Sequence, residues 1–292
     1  MVEKGLRPVQ IPGDLLYRPA MADPLDRIAA ALERLSPPPA PAADPLAHPA
    51  YVWRDGALAA ARAFAPLPLA MLHGVDAQKA ALVANLTRLA GGHAAQDVLL
   101  WGARGTGKSA LVKAAVGDLQ AASAAIALVE VAADRLADLP ALFAALAAQP
   151  RAFAVFLDDI GFDVAADARI LRSLLEGGAE ARPANTRLIV TSNRRHLIVR
   201  DIAEQASAIN PRDSIDDQLA LADRFGLSLG FHVVDQDGYL AIVRGYADAY
   251  DLPFDASDAV QWATRRGSRS GRVAWQYVVE LAGRAGKALQ PH

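Results

Sequence analysis

The chain has no cysteine and only three methionines among its 292 residues. Disulfides and thiolate metal sites are thereby excluded, and the composition fits a reducing compartment; the reading is a cytoplasmic protein. An apolar N-terminal stretch of the kind that heads a secretory signal is lacking from MVEKGLRPVQ. Charges at Asp118, Glu130 and Asp134 break the apolar runs before any reaches membrane-spanning length, so no membrane partner is expected. A net charge of -2 leaves no excess of basic residues, which argues against an obligate nucleic-acid coat. The histidines His73, His93, His196 and His232 are scattered without HxxxH spacing, so metal chemistry beyond magnesium finds no support. No N-K-x-D stretch of the guanine-reading kind is present.

What the chain does have is alanine and a long alternation of helical pattern with short apolar runs. Residues 1 to about 20 show no periodicity and read as a tail. Asp23-Pro24 reads as a cap with proline at the first helical position, followed by Leu25, Ile28, Leu32 and Leu35 on one face. Stacked prolines after Ser36 end that helix, which either docks elsewhere or packs on the core. A helix is predicted over 75–90, ended by Gly91-Gly92. Strands are predicted at 98–101, 126–131, 153–157, 188–190 and 227–234. Their nearly continuous apolar character means both faces are covered, as in a parallel sheet between helices. Beyond Asp235 only helices are predicted, near 236–250, 255–266 and 270–289. The fold class is therefore α/β, a three-layer αβα sandwich followed by a small helical domain. The boundaries expected are 1–50 for the tail, helix and linker, 51–234 for the α/β domain and 235–292 for the helical domain.

One stretch carries the chemistry. Gly102-Ala103-Arg104-Gly105-Thr106-Gly107-Lys108-Ser109 matches G-x-x-x-x-G-K-[ST] and sits after a strand and before a helix opened by Ala110. Glycines let successive amides turn toward an anion, and a helix N-terminus adds partial positive charge there. Lys108 can then reach the β- and γ-phosphates, and the Ser109 hydroxyl can ligate magnesium. The run Phe153–Leu157 ends in Asp158-Asp159, where parallel sheets place their ligands. Asp158 would hold the magnesium shell, and Asp159 could act as general base toward water. The absent guanine element favours ATP, with Leu72-His73-Gly74-Val75 as a candidate base pocket. Asn193, ending the fourth strand, could orient a water against the γ-phosphate. Arg224, Arg269 and Arg272 are either site residues or surface charges.

Taken in order, these residues resemble the AAA+ ATPase superfamily over roughly 71–290. The stretches GARGTGKS, TSNRRHL, DRFGL and GSRSGRVAWQ look like one bacterial AAA+ family catalogued as a domain of unknown function. The resemblance implies a sheet ordered 5-1-4-3-2 with a helical lid, and ATP held between them with Mg2+. It implies Asn193 as sensor 1, Arg224 as an arginine finger reaching a neighbour's site, and Arg272 as sensor 2, with Arg269 competing for that role. Most of the superfamily has Asp-Glu where this chain has Asp158-Asp159, and the shorter carboxylate predicts slow turnover. The leading expectation is a homo-oligomeric ATP hydrolase, slow as a lone subunit, that remodels or loads a protein partner not identified from sequence. The alternatives are a nucleotide-gated binding module and a nucleic-acid-linked loader. The last would use the basic clusters Arg194-Arg195-His196 and Arg265-Arg266 with Arg269.

Overall fold

Near-continuous apolar runs do become the strands of one sheet in the computed structural model, which describes residues 23–35, 42–161, 165–177, 182–193 and 223–289. The strands are β1 (Ala50–Arg54), β2 (Ala57–Ala60), β3 (Val98–Gly102), β4 (Ile126–Val131), β5 (Ala152–Leu157), β6 (Thr186–Ser192) and β7 (Leu227–Phe231). Their order is β2-β1-β4-β5-β6-β3-β7, all pairs parallel except β1 with β2. Read through the five strands expected from sequence, this is the order 5-1-4-3-2, with a hairpin added beyond β4.

Alternation along each strand divides the core between two faces. Phe153, Val155 and Leu157 of β5 join one apolar cluster, and Ala154 and Phe156 join the other. The first face is covered by α4 (Leu139–Ala147) and α5 (Ala165–Glu176), the second by α2 (Asp76–Ala90) and α3 (Lys108–Ala121). After β7 come α6 (Gln236–Ala249), α7 (Ala256–Arg265) and α8 (Gly271–Arg284). Each opens on a side-chain cap, from Asp235, Asp255 and Ser270 respectively. They enclose a separate core in which Tyr239, Tyr277, Val243 and Val278 are fully buried. Together these elements are a mostly parallel α/β sheet followed by a small C-terminal helical domain, as expected.

One expectation is corrected, and three features go beyond those expected. The fifth strand stops at Phe231 rather than Val234, because its neighbour β3 ends at Gly102, the register partner of Phe231. The hairpin β1–β2 was not foreseen, although Asp55 and Gly56 take φ of 52° and 74°, as a two-residue hairpin turn requires. Helices α4 and α5 were not foreseen either.

The chain divides into two compact units, residues 1–41 and 42–292. Within the first, α1 (Pro24–Leu35) starts where expected, with the Asp23 carboxylate accepting from the Leu25 amide at 2.9 Å. Its Leu25, Ile28 and Leu32 are exposed. The tail and the proline-rich linker lie outside the described residues. Among the described residues no helix is long and apolar enough to cross a membrane.

Candidate functional site

The glycine-rich turn is shaped by what surrounds it. Gly102 ends β3 with φ of 132°, and a Cβ there would overlap the Phe231 carbonyl of β7. Gly105 has φ of 77°, and a Cβ would sit 2.9 Å from the Ser270 hydroxyl at the start of α8. Gly107, left-handed at φ of 93°, is the residue from which α3 departs. Only glycine tolerates such positions without strain. The Thr106 hydroxyl closes the turn by donating to the Ala103 carbonyl at 2.8 Å.

Lys108 begins α3 and is only 5% exposed. Its ammonium donates to the Gly102 and Ala103 carbonyls at 3.0 and 2.8 Å and to Asn193 Oδ1 at 2.9 Å. Burial pushes its pKa below the ordinary lysine value, with the charges of Asp159 and Asp158 acting against that shift. The Ser109 hydroxyl donates to Asp158 Oδ1 at 2.6 Å, and Thr191 donates to the same oxygen at 2.6 Å. Hydroxyl and carboxylate are the hard oxygen ligands that suit a small divalent cation. Thr191 also accepts from the Asp159 amide at 2.8 Å, tying the carboxyl end of β5 to that of β6.

Asp159 is one of four described non-glycine residues with positive φ, at 53°. Aspartate enters this region more readily than most side chains, and the turn redirects its carboxylate away from that of Asp158. Asn193 donates to its Oδ1, and Arg104 approaches its Oδ2 at 3.4 Å.

These groups open into a cleft of about 910 Å³ between the glycine loop and the C-terminal helices. Arg104, Gly105, Thr106, Gly107, Lys108, Ser109, Ala110, Asp158, Asp159, Asn193 and Arg272 all line it. Gly102 and Ala103 form the root of the loop, behind Lys108. Arg272 reaches the site because α8 docks on the loop, its amide donating to the Gly105 carbonyl at 3.4 Å. Arg269 is not among the residues that line the cleft. Arg224 does not line it either; its guanidinium pairs with Glu176 at the end of α5.

Leu72, His73, Gly74 and Val75 also line the cleft, together with Pro66, Leu67, Ile242, Tyr246 and Trp275. Tyr246 meets the Trp275 ring edge-on at 5.4 Å, and burial pushes its hydroxyl up to about 12. His73 packs on Gly245, where a Cβ would overlap its imidazole. Sequence reading missed this aromatic wall. The glycine at 245 beside a tyrosine on one helix turn was its only trace, since the contact joins distant segments. The cluster Arg194-Arg195-His196 lies outside the described residues. Arg266 of the second basic cluster stacks over the Trp262 ring at 4.3 Å.

No curated protein sequence matches the chain. Among solved structures, Aeropyrum pernix ORC1 in complex with DNA is similar at 16% identity over 75% of this chain and 63% of that one, with a TM-score of 0.53. A variant of Thermotoga maritima RuvB is similar at 19% identity over 76% and 67%, with a TM-score of 0.49. Domain III of the Thermotoga maritima replication initiation protein DnaA gives 12% identity over 76% and 91%, with a TM-score of 0.46. At 16% identity the likeness to ORC1 is one of fold. The family described as "Protein of unknown function (DUF815)" matches residues 46–285, most of the chain. The chain belongs to that family, and the matched stretch carries the AAA+ fold.

Proposed function

We propose that the chain binds ATP with magnesium and hydrolyses it slowly as a lone subunit, gaining speed when copies assemble. The observation that carries this reading is the convergence, at one end of one cleft, of Lys108, the Ser109–Asp158 pair and the Asp159–Asn193 pair. In this reading the loop amides and Lys108 hold the polyphosphate, as the glycine turn and the helix start favour. Ser109 and Asp158 would hold Mg2+, which would neutralise charge on the phosphate oxygens. Asn193 and Asp159 orient the attacking water. Asp159 accepts its proton as the new oxygen–phosphorus bond forms and the bridging bond to the leaving ADP breaks. Arg272 faces the phosphates from α8, and the apolar wall with Tyr246 and Trp275 receives the base.

Arg224, held by Glu176 and outside its own cleft, is placed by this reading in a neighbour's site. An arginine finger is worth about 10³–10⁵ in rate. The proposed task, coupling nucleotide state to assembly and to remodelling or loading of a protein partner, rests on that expectation.

The test is Mg2+-dependent ATP hydrolysis measured across a range of protein concentrations, with calorimetry for binding. Specific activity is expected to rise with concentration. Arg224→Ala should flatten that rise while leaving ATP binding intact. Lys108→Ala should weaken binding by about 10–150-fold, the worth of a charged hydrogen-bond donor. Heat of binding that is absent in the wild type, or unchanged in Lys108→Ala, would overturn the reading.

A further inference from the structure

Arg104 occupies a variable position of the glycine loop, where the backbone alone is needed to cradle an anion. Its side chain nevertheless does something specific. It crosses the mouth of the cleft to Asp159 Oδ2 at 3.4 Å, while Asn193 holds Oδ1 and in turn accepts from Lys108. Lys108, Asn193, Asp159 and Arg104 thus form one continuous polar chain from the root of the loop to its rim.

The two ends of that chain differ. Lys108 is buried and fixed by two carbonyls, whereas the Arg104 and Asp159 side chains are 75% and 53% exposed. An exposed ion pair contributes little stability and is easily exchanged. A guanidinium also fits a phosphate as well as a carboxylate, through the same planar fork. Arg104 and the terminal phosphate of a nucleotide seated in the loop would lie on the same side of the cleft, with Asp159 competing for the cation.

We propose that Arg104 is a positioning residue that exchanges the Asp159 carboxylate for the terminal phosphate of a nucleoside triphosphate, so that loading the loop releases Asp159 toward water. This rests on the ATP-binding reading above and adds to it a device that distinguishes triphosphate from diphosphate. ADP lacks the oxygens that Arg104 would take, so with ADP the carboxylate stays latched. Asn193 remains on Asp159 in both cases and holds it in place.

The experiment compares affinities for ADP and for a non-hydrolysable ATP analogue, both with Mg2+, in the full chain. Arg104→Ala is expected to weaken triphosphate binding about tenfold, one exposed charge-assisted contact, and to leave ADP binding within about twofold. Arg104→Lys, which keeps the charge without the fork, should recover part of the loss. Asp159→Asn should tighten triphosphate binding by removing the competitor, and that gain should shrink when combined with Arg104→Ala. Equal weakening of both nucleotides in Arg104→Ala would overturn the proposal, as would an Asp159→Asn effect indifferent to Arg104. In both cases wild-type binding lost on Lys108→Ala would leave the parent reading standing. A wild type that binds neither nucleotide would end both.

Discussion

Lys108 carries a positive charge at a place that water scarcely reaches, and three oxygen acceptors compensate for the lost hydration. The compensation is incomplete, since burial still lowers its pKa from the ordinary 10.5. A lysine whose folded pKa is depressed disfavours folding while charged, and that penalty fades as pH rises toward the unfolded value. Anion binding runs the other way, because it needs the charged form. Mg-ATP affinity measured by calorimetry from about pH 7 to about pH 10 should therefore begin to fall below the range expected of an ordinary lysine. Lys108→Arg, always charged, should show weaker binding with a flatter profile. A wild-type profile flat to about pH 10 would contradict this. The lysine, the serine and both aspartates were legible in the sequence because each sits at a fixed offset in a short motif. The Arg104 contact was not, since it joins side chains 55 positions apart and depends on the left-handed turn at Asp159.

At the scale of elements, the site exists because strand ends, loop and helix start are fixed to one another by backbone. Gly102 has the carbonyl of Phe231 where a side chain would be, and neither strand can retreat without losing its ladder. Gly102→Ala should therefore cost at least about 2 kcal/mol, combining overpacking with an unfavourable φ. For a domain of this size that is roughly 4–8 °C in Tm, read by thermal denaturation. Gly56→Ala is the control: it strains a left-handed φ of 74° but meets open space, so about 1 kcal/mol is expected. Strands β3 to β7 were legible because apolar runs bounded by turns admit few alternatives. Strand β2, Ala57–Ala60, was missed because three of its four residues are alanine, which signals a helix more than a strand. Helix α4 is apolar around most of its circumference and so shows no stripe.

Across the whole molecule, the strand order followed from resemblance rather than from residue spacing, because nothing local fixes which strands become neighbours. The direct contact of α8 with the glycine loop, through Ser270 and the Arg272 amide at Gly105, was equally invisible. Trp275, one turn along that same helix, forms a wall of the cleft and also borders a second groove with Trp262 and Arg284. The other tryptophans are not among the residues lining the cleft: Trp53 is buried, Trp101 donates to Ser228, and Trp262 lies beneath Arg266. Intrinsic fluorescence should thus be a built-in optical gauge of occupancy. Its emission wavelength should move as Mg-ATP is titrated in, and Trp275→Phe should silence the signal while the remaining indoles keep glowing unchanged.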